Sequence, residues 1–145
     1  MVSIRYLTAC AILIAFGPAQ ALAQDFPEHP GNMKDAEAQK LARVGIVELK
    51  VFMPGSILVQ GKKGGTSKTK IFKSDNSLEI PENMNVSGTW KFNEKHDGYC
   101  NTIVGRNRTT ENCFFVFKAA DGVHYFDYDA ENGFYSAVWR PAANK

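Results

Sequence analysis

The chain has 145 residues, 44% of them apolar, 22% charged and 12% aromatic. That suits one globular domain; it is too short for two and too apolar for disorder. A formal net charge of +2, from 17 Lys and Arg against 15 Asp and Glu, excludes a strongly basic nucleic-acid binder and an acidic tail protein, and three cysteines exclude a disulfide-dense miniprotein.

Residues 1–23 read as a secretory signal peptide. Arg5 gives a positive start, Leu7 to Phe16 an apolar run, Gly17-Pro18 a break, and Ala21-Leu22-Ala23 the small residues that a signal peptidase reads. The run is too short to cross ~30 Å of hydrocarbon, and no later stretch approaches the ~18 apolar residues of a spanning helix, so no transmembrane anchor is expected. Leu7-Thr8-Ala9-Cys10 matches a lipoprotein box, but here the apolar residues follow the cysteine instead of preceding it. Cleavage after Ala23 leaves Cys100 and Cys113 in a periplasmic or secreted setting, where thiols oxidise, and one structural disulfide is expected.

Residues 24–32 contain two prolines and a glycine and read as a flexible linker, with His29 solvated. One domain follows, 33–145. Residues 33–52 read as a helix: Asn32 is a plausible N-cap, Asp35 and Glu37 favour the dipole, and Ala36, Leu41, Val44, Val47 and Val51 form one apolar stripe. Gly45 is its weak point, where two shorter helices could form. Met53-Pro54-Gly55 ends it.

From residue 56 onward, turn signals recur roughly every 8–12 residues, the signature of an antiparallel meander. They separate eight strand-like segments: 56–60, 68–73, 77–80, 86–93, 99–104, 112–118, 123–128 and 134–140. No helical pattern intervenes, so parallel βαβ units are not expected. The expected fold is mainly β (α+β): an N-terminal helix packed on a meander of seven or eight strands, closing into a small or partial barrel.

Twelve of the 17 aromatic residues lie between Trp90 and Trp139. They can fill a core, or line a ligand pocket around Trp90, Phe115, Phe117 and Tyr125; the sequence does not separate the two. The cysteines set a register. A hairpin whose two-residue turn is Arg106-Asn107 places Cys100 directly opposite Cys113. Opposed residues of a non-hydrogen-bonded pair stand ~4.5 Å apart at Cα, within disulfide range.

Metal chemistry is the sharper alternative for these residues. His96, Cys100, Cys113 and His124 offer two thiolates and two imidazoles for zinc, but without a Cys-x2-Cys pair, and export favours the disulfide. The stretch Asp127 to Gly133 approximates a calcium loop, with its glycine one position late and Val138 where the bidentate Glu belongs. No metal or other cofactor is assigned.

Enzyme motifs are mostly missing. There is no Gly-x-Ser-x-Gly elbow, and the run Gly61 to Lys68 fails the P-loop spacing. An acid pair could hide among Asp97, Asp127, Asp129 and Glu131, and no catalytic residue is assigned. Lys62, Lys63, Lys68, Lys70 and Lys73 crowd residues 61–73 with no acid, and Arg106 and Arg108 mark another turn. If the tips share one end of the sheet, Lys62, Lys63, Lys68, Arg106 and Arg108 form an anion-attracting rim. Asn85-Val86-Ser87 and Asn107-Arg108-Thr109 are glycosylation sequons, relevant only in a eukaryotic secretory pathway.

Gly88-Thr89-Trp90-Lys91-Phe92, Gly98-Tyr99-Cys100, Cys113 to Phe117 and Gly122 to Phe126 together resemble a family of small periplasmic proteins of alphaproteobacteria that form a domain of unknown function. The resemblance implies a signal peptide, a short helix, a Gly-x-Trp strand, two cysteines on neighbouring strands and a bacterial origin that makes the sequons irrelevant. It implies no activity. The run from Gln60 to Thr69 is longer and richer in lysine than that pattern expects. The expected function is a non-enzymatic binding module of the cell envelope, taking a small apolar ligand, an anionic envelope component or a periplasmic protein, with no nucleic acid. An inhibitor of a cell-wall hydrolase and a hydrolase with a carboxylate site are the alternatives.

Overall fold

The computed structural model describes residues 26–61 and 67–142. The expected signal peptide, Cys10, Lys62 and Lys63 lie outside them. In chain order the elements are α1 (Met33–Ala38), β1 (Ala42–Val44), α2 (Ile46–Phe52), β2 (Ser56–Gly61), β3 (Lys68–Phe72), β4 (Ser77–Glu79), β5 (Ser87–Asn93), β6 (Gly98–Val104), β7 (Thr109–Lys118), β8 (Tyr125–Asp129) and β9 (Tyr135–Pro141). All eight expected strand segments are strands.

Each strand from β2 to β9 pairs antiparallel with the next, and β9 returns to β2 through Leu58↔Pro141 to Gly61↔Val138. The meander is therefore a closed eight-stranded antiparallel barrel. β1 is an extra strand. It pairs with β7 at Val44↔Val116 to Ala42↔Lys118, on the edge that β6 leaves after Tyr99↔Phe114.

The alternation of side chains along each strand sorts the apolar residues into two cores. Leu58, Phe72, Leu78, Trp90, Tyr99, Phe114, Val116 and Trp139 form one with Leu49 of α2 and Met53 at its C-cap. An eight-stranded barrel is just wide enough for side chains to fill, so this cluster is its interior. α2 directly precedes β2 and closes the end where β2 begins, with Phe52 reaching Tyr125 and Trp139 at ring distances of 5.6 and 5.9 Å. Asp97, in a left-handed conformation (φ 48°), accepts the Ile46 N–H at 2.7 Å and so caps α2 from the turn between β5 and β6.

The outward residues Phe117, Phe126, Tyr128 and Val138 form the second core with Ala119, Phe26 and Ala36. The N-terminal segment covers that face. Residues 26–32, expected to be a linker, are a strap instead: Phe26 is only 2% exposed, Tyr128 donates to the Pro30 carbonyl at 3.2 Å, and Asn32 bridges to Phe134. Gly61 makes the seat, because a Cβ there would stand 2.2 Å from the Phe26 ring. His29, expected in solvent, keeps an exposed edge but stacks on Tyr135 with centroids 3.2 Å apart.

The continuous helix over 33–52 is also corrected. Asn32 does cap α1, accepting the Asp35 N–H at 3.0 Å. Lys40 then turns left-handed (φ 56°) and β7 captures 42–44 as β1. That break re-phases the chain. Leu49 of the second helix and Met53 at its C-cap are buried, while Val47 and Val51 are 78% and 82% exposed.

Candidate functional site

The hairpin of β6 and β7 has the expected register. Val104 opposes Thr109, the Gly105 N–H donates to the Arg108 carbonyl at 2.8 Å, and Cys100 opposes Cys113. Their Cα atoms are 3.9 Å apart and their sulfurs 2.02 Å, the length of a disulfide bond. Gly98 lets the two strands meet, since a Cβ there would lie 2.0 Å from the Phe114 carbonyl oxygen. Glu111 stands beside the bridge, its carboxylate within 4.8 Å of both sulfurs and 2.8 Å from Lys91 Nζ. Of the imidazoles weighed with these sulfurs, His96 lies edge-on to Phe115 at 5.9 Å and His124 pairs with Asp121 at 2.6 Å, both on the turn after β7.

The four aromatic residues considered for one pocket do not share one. Trp90 is in the barrel interior, its indole N–H donating to the Lys73 carbonyl at 3.0 Å. Tyr125 packs against the same cluster and stacks on Trp139 with centroids 4.4 Å apart. Phe115 and Phe117 belong to the outer core, where Arg43 lies 4.5 Å over the Phe115 ring. Successive residues of one strand point to opposite faces. Phe115 and Phe117 are therefore turned away from Phe114 and the interior.

Among the described residues, the interior has one charged centre. Asp127 is 2% exposed; it accepts the Tyr99 hydroxyl at 2.6 Å and the Trp139 indole N–H at 2.8 Å. Burial pushes its pKa up to about 6, against the opposing pull of those two bonds and of Lys70. Lys70 faces the same space and is held below the ordinary lysine range by burial, with Asp127 pulling upward and Lys68 downward. Burial and the neighbouring Asp127 charge keep the Tyr99 phenol protonated well above the usual range. The space among Leu58, Gln60, Lys70, Phe72, Tyr99, Asp127 and Trp139 is about 10 Å³, room for about one water molecule. The carboxyl there can hold or release a proton, but it has no room for a substrate. Of the other acids weighed, Asp97 caps α2, and Asp129 accepts the N–H groups of Glu131 and Asn132 at 2.9 and 3.0 Å.

Of the five residues expected to form a basic rim, Lys68, Arg106 and Arg108 are described, while Lys62 and Lys63 lie outside the described residues. In an up-and-down barrel, alternate connections leave the same end. Those after β2, β4, β6 and β8 share the end opposite α2. The hairpins β2–β3 and β6–β7 stand four strands apart in a ring of eight, and so face each other across it. Lys68, Arg106 and Arg108 are exposed there. Lys70 and Lys73 are not part of it: Lys70 faces inward and Lys73 pairs with Glu79.

Apolar side chains on the same rim were not singled out from the sequence. Met84 is 94% exposed, Phe134 62% and Val104 45%. Met84 borders a surface groove of about 490 Å³ with Ile80, Pro81 and Val86; its one sequence signal is a lone methionine in a polar turn. Glu82 ties that loop down by accepting the Thr69 N–H at 2.8 Å. Phe134 borders a second groove, of about 440 Å³, with Met33, Lys34 and Phe115. A third, of about 400 Å³, holds His96, Glu111, Asn112, Asp129 and Glu131, and shares Ala130 and Glu131 with the second. Among the described residues no helix is long and apolar enough to cross a membrane. Comparison with known proteins finds no family model, no curated protein and no solved structure that matches the chain.

Proposed function

We propose that this chain is a non-enzymatic binding module of the bacterial cell envelope, exported to the periplasm, that takes a partner protein on its loop rim and not inside its barrel. The observation that carries this reading is the gathering of Met84, Val104 and Phe134 with Lys68, Arg106 and Arg108 on one end of the barrel. Exposed apolar side chains among arginines are the composition of protein interfaces. The water-sized space beside Asp127 argues against the small-ligand version. The signal-like residues 1–23 and the resemblance to small periplasmic proteins of alphaproteobacteria support the location.

The test compares the exported wild-type protein with a variant carrying Arg106→Ala, Arg108→Ala, Met84→Ser and Phe134→Ser. All four positions are at least partly exposed surface sites, so the variant is expected to fold. Both are immobilised and exposed to periplasmic extract, and captured proteins are identified by mass spectrometry. The wild type is expected to retain a defined protein that the variant loses. Identical capture by the two would end the rim reading. A second reading, inhibition of a cell-wall hydrolase, is favoured by the exposed tip from Arg106 to Thr109. Peptidoglycan turnover unaffected by excess purified protein would remove it.

A further inference from the structure

One strand edge beside the rim is open. β7 runs ten residues, from Thr109 to Lys118, and β6 pairs with its first half from Thr109 to Phe114. β8 pairs only from Phe114↔Asp129 onward, and one further bond, from the Ala130 N–H to the Cys113 carbonyl at 2.8 Å, ends that ladder. In an antiparallel ladder, hydrogen-bonded and non-hydrogen-bonded pairs alternate. The Gly105–Arg108 bond sets the phase, so Thr109, Glu111 and Cys113 turn their backbone groups away from β6. Among the described residues, the N–H and C=O of Thr109 and Glu111 and the N–H of Cys113 have no backbone partner there. Thr109 and Glu111 are exposed.

A groove lies along this half-strand. Glu111, Asn112 and Cys113 form one side; Asp129, Ala130 and Glu131 form the other. It continues into the groove of Met33, Phe115 and Phe134. Only an extended backbone offers donors and acceptors at the spacing of an open strand edge. Lys91 sets one cation against Glu111 at 2.8 Å, so the carboxylates of Glu111, Asp129 and Glu131 keep the groove net negative and favour further cationic side chains, and Phe134 offers an apolar contact beyond them.

We propose that the open edge of β7, residues 109–113, takes an extended segment of a partner protein as an added β-strand, with Lys or Arg of that segment facing Glu111, Asp129 and Glu131. This rests on the binding-module reading above and deepens it by naming the mode of recognition and the chemistry of the partner.

The probe is a fluorescent ten-residue peptide alternating Thr and Val, with two Lys on one face and a terminal Phe. Three comparisons isolate the claim: the same peptide with Glu for Lys, the same peptide N-methylated at alternate residues, and the protein variant Glu111→Lys/Glu131→Lys. Both substituted residues are exposed, and the variant's retained disulfide and thermal transition check its fold. Fluorescence anisotropy is expected to show saturable binding of the Lys peptide, weakened at least tenfold in each comparison. Hydrogen exchange is expected to show slowed amides at Thr109 and Glu111 on binding. Equal binding by the N-methylated peptide, or none by the Lys peptide, overturns the proposal. So does a concentration-dependent dimer in sedimentation that the Glu111→Lys/Glu131→Lys variant loses, since the edge would then belong to a second copy. If the rim variant still loses its captured protein while the Lys peptide fails to bind, this inference falls and the binding-module reading stands.

Discussion

Asp127 is the residue where burial and charge conflict most directly. Its carboxyl sits inside the barrel with two donors, Tyr99 and Trp139, and a lysine nearby. Two hydrogen bonds to a carboxylate lower its pKa, yet removal from water outweighs them and leaves it at about 6. The ordinary value is 3.8, so the folded chain holds this proton more tightly than the unfolded one. Stability is therefore expected to rise as pH falls from about 7 through 6 toward 4, by about 3 kcal/mol at most. Asp75 and Glu82, held low by hydrogen bonds from Ser77 and Thr69, pull the other way at more acid pH. Urea midpoints at pH 7.5, 6 and 4.5 measure the rise, and Asp127→Asn should flatten it. An undiminished slope in that variant would place the titrating group elsewhere. The sequence offered Asp127 only as a member of an acidic stretch. Nothing local marks it as inward-facing, because that depends on strand phase, which the neighbouring aromatic pair Tyr125-Phe126 leaves undecided.

At the scale of elements, the N-terminal strap and the plug helix carry most of what local pattern concealed. Phe26 is buried against β2 beside Gly61, so Phe26→Ala is expected to cost about 3–5 kcal/mol. Leu49→Ala should cost about 2–5 kcal/mol, whereas Val47→Ala and Val51→Ala should stay within about 0.5 kcal/mol of the parent. Chemical denaturation of the four variants decides this; a large loss at Val47 or Val51 would restore the single-helix stripe. The strands were legible because turn residues punctuate them and alternation repeats in each. A single helix does not form, because Ala36 to Val51 fits one period of 3.6 only if no residue between them leaves the helical region. Lys40 does leave it, and the pull comes from β7, more than 70 residues away in sequence. Two prolines and a glycine in 24–32 spoke correctly against regular structure, but irregular backbone can still bury a ring. The open edge of β7 was half visible: Thr109-Thr110 are β-branched, yet the expected strand began at Asn112.

For the whole molecule, the meander's parity and the disulfide together fix where the exposed tips stand. Antiparallel pairing of successive strands puts every second hairpin tip on one rim, and the bridge anchors the hairpin whose β7 half lacks a neighbour. Replacing both Cys100 and Cys113 by Ser is expected to lower stability by about 3 kcal/mol, read as a drop in urea midpoint at constant slope. The native protein should weigh two hydrogens less than its reduced form; an unchanged midpoint, or free thiols in the purified protein, would contradict this. That register was readable because the cysteines and the Arg106-Asn107 turn share one arithmetic centre. The grooves beside it were not, since they depend on how far β8 extends along β7.

Both indoles, Trp90 and Trp139, are at most 3% exposed and belong to the barrel's interior cluster, so their emission should be blue-shifted and poorly quenched by iodide. A guest settling on the outer surface would leave that light almost untouched, while melting, or entry of water or a polar molecule into the barrel, would redden it. One cuvette measurement thus tells surface docking apart from internal lodging.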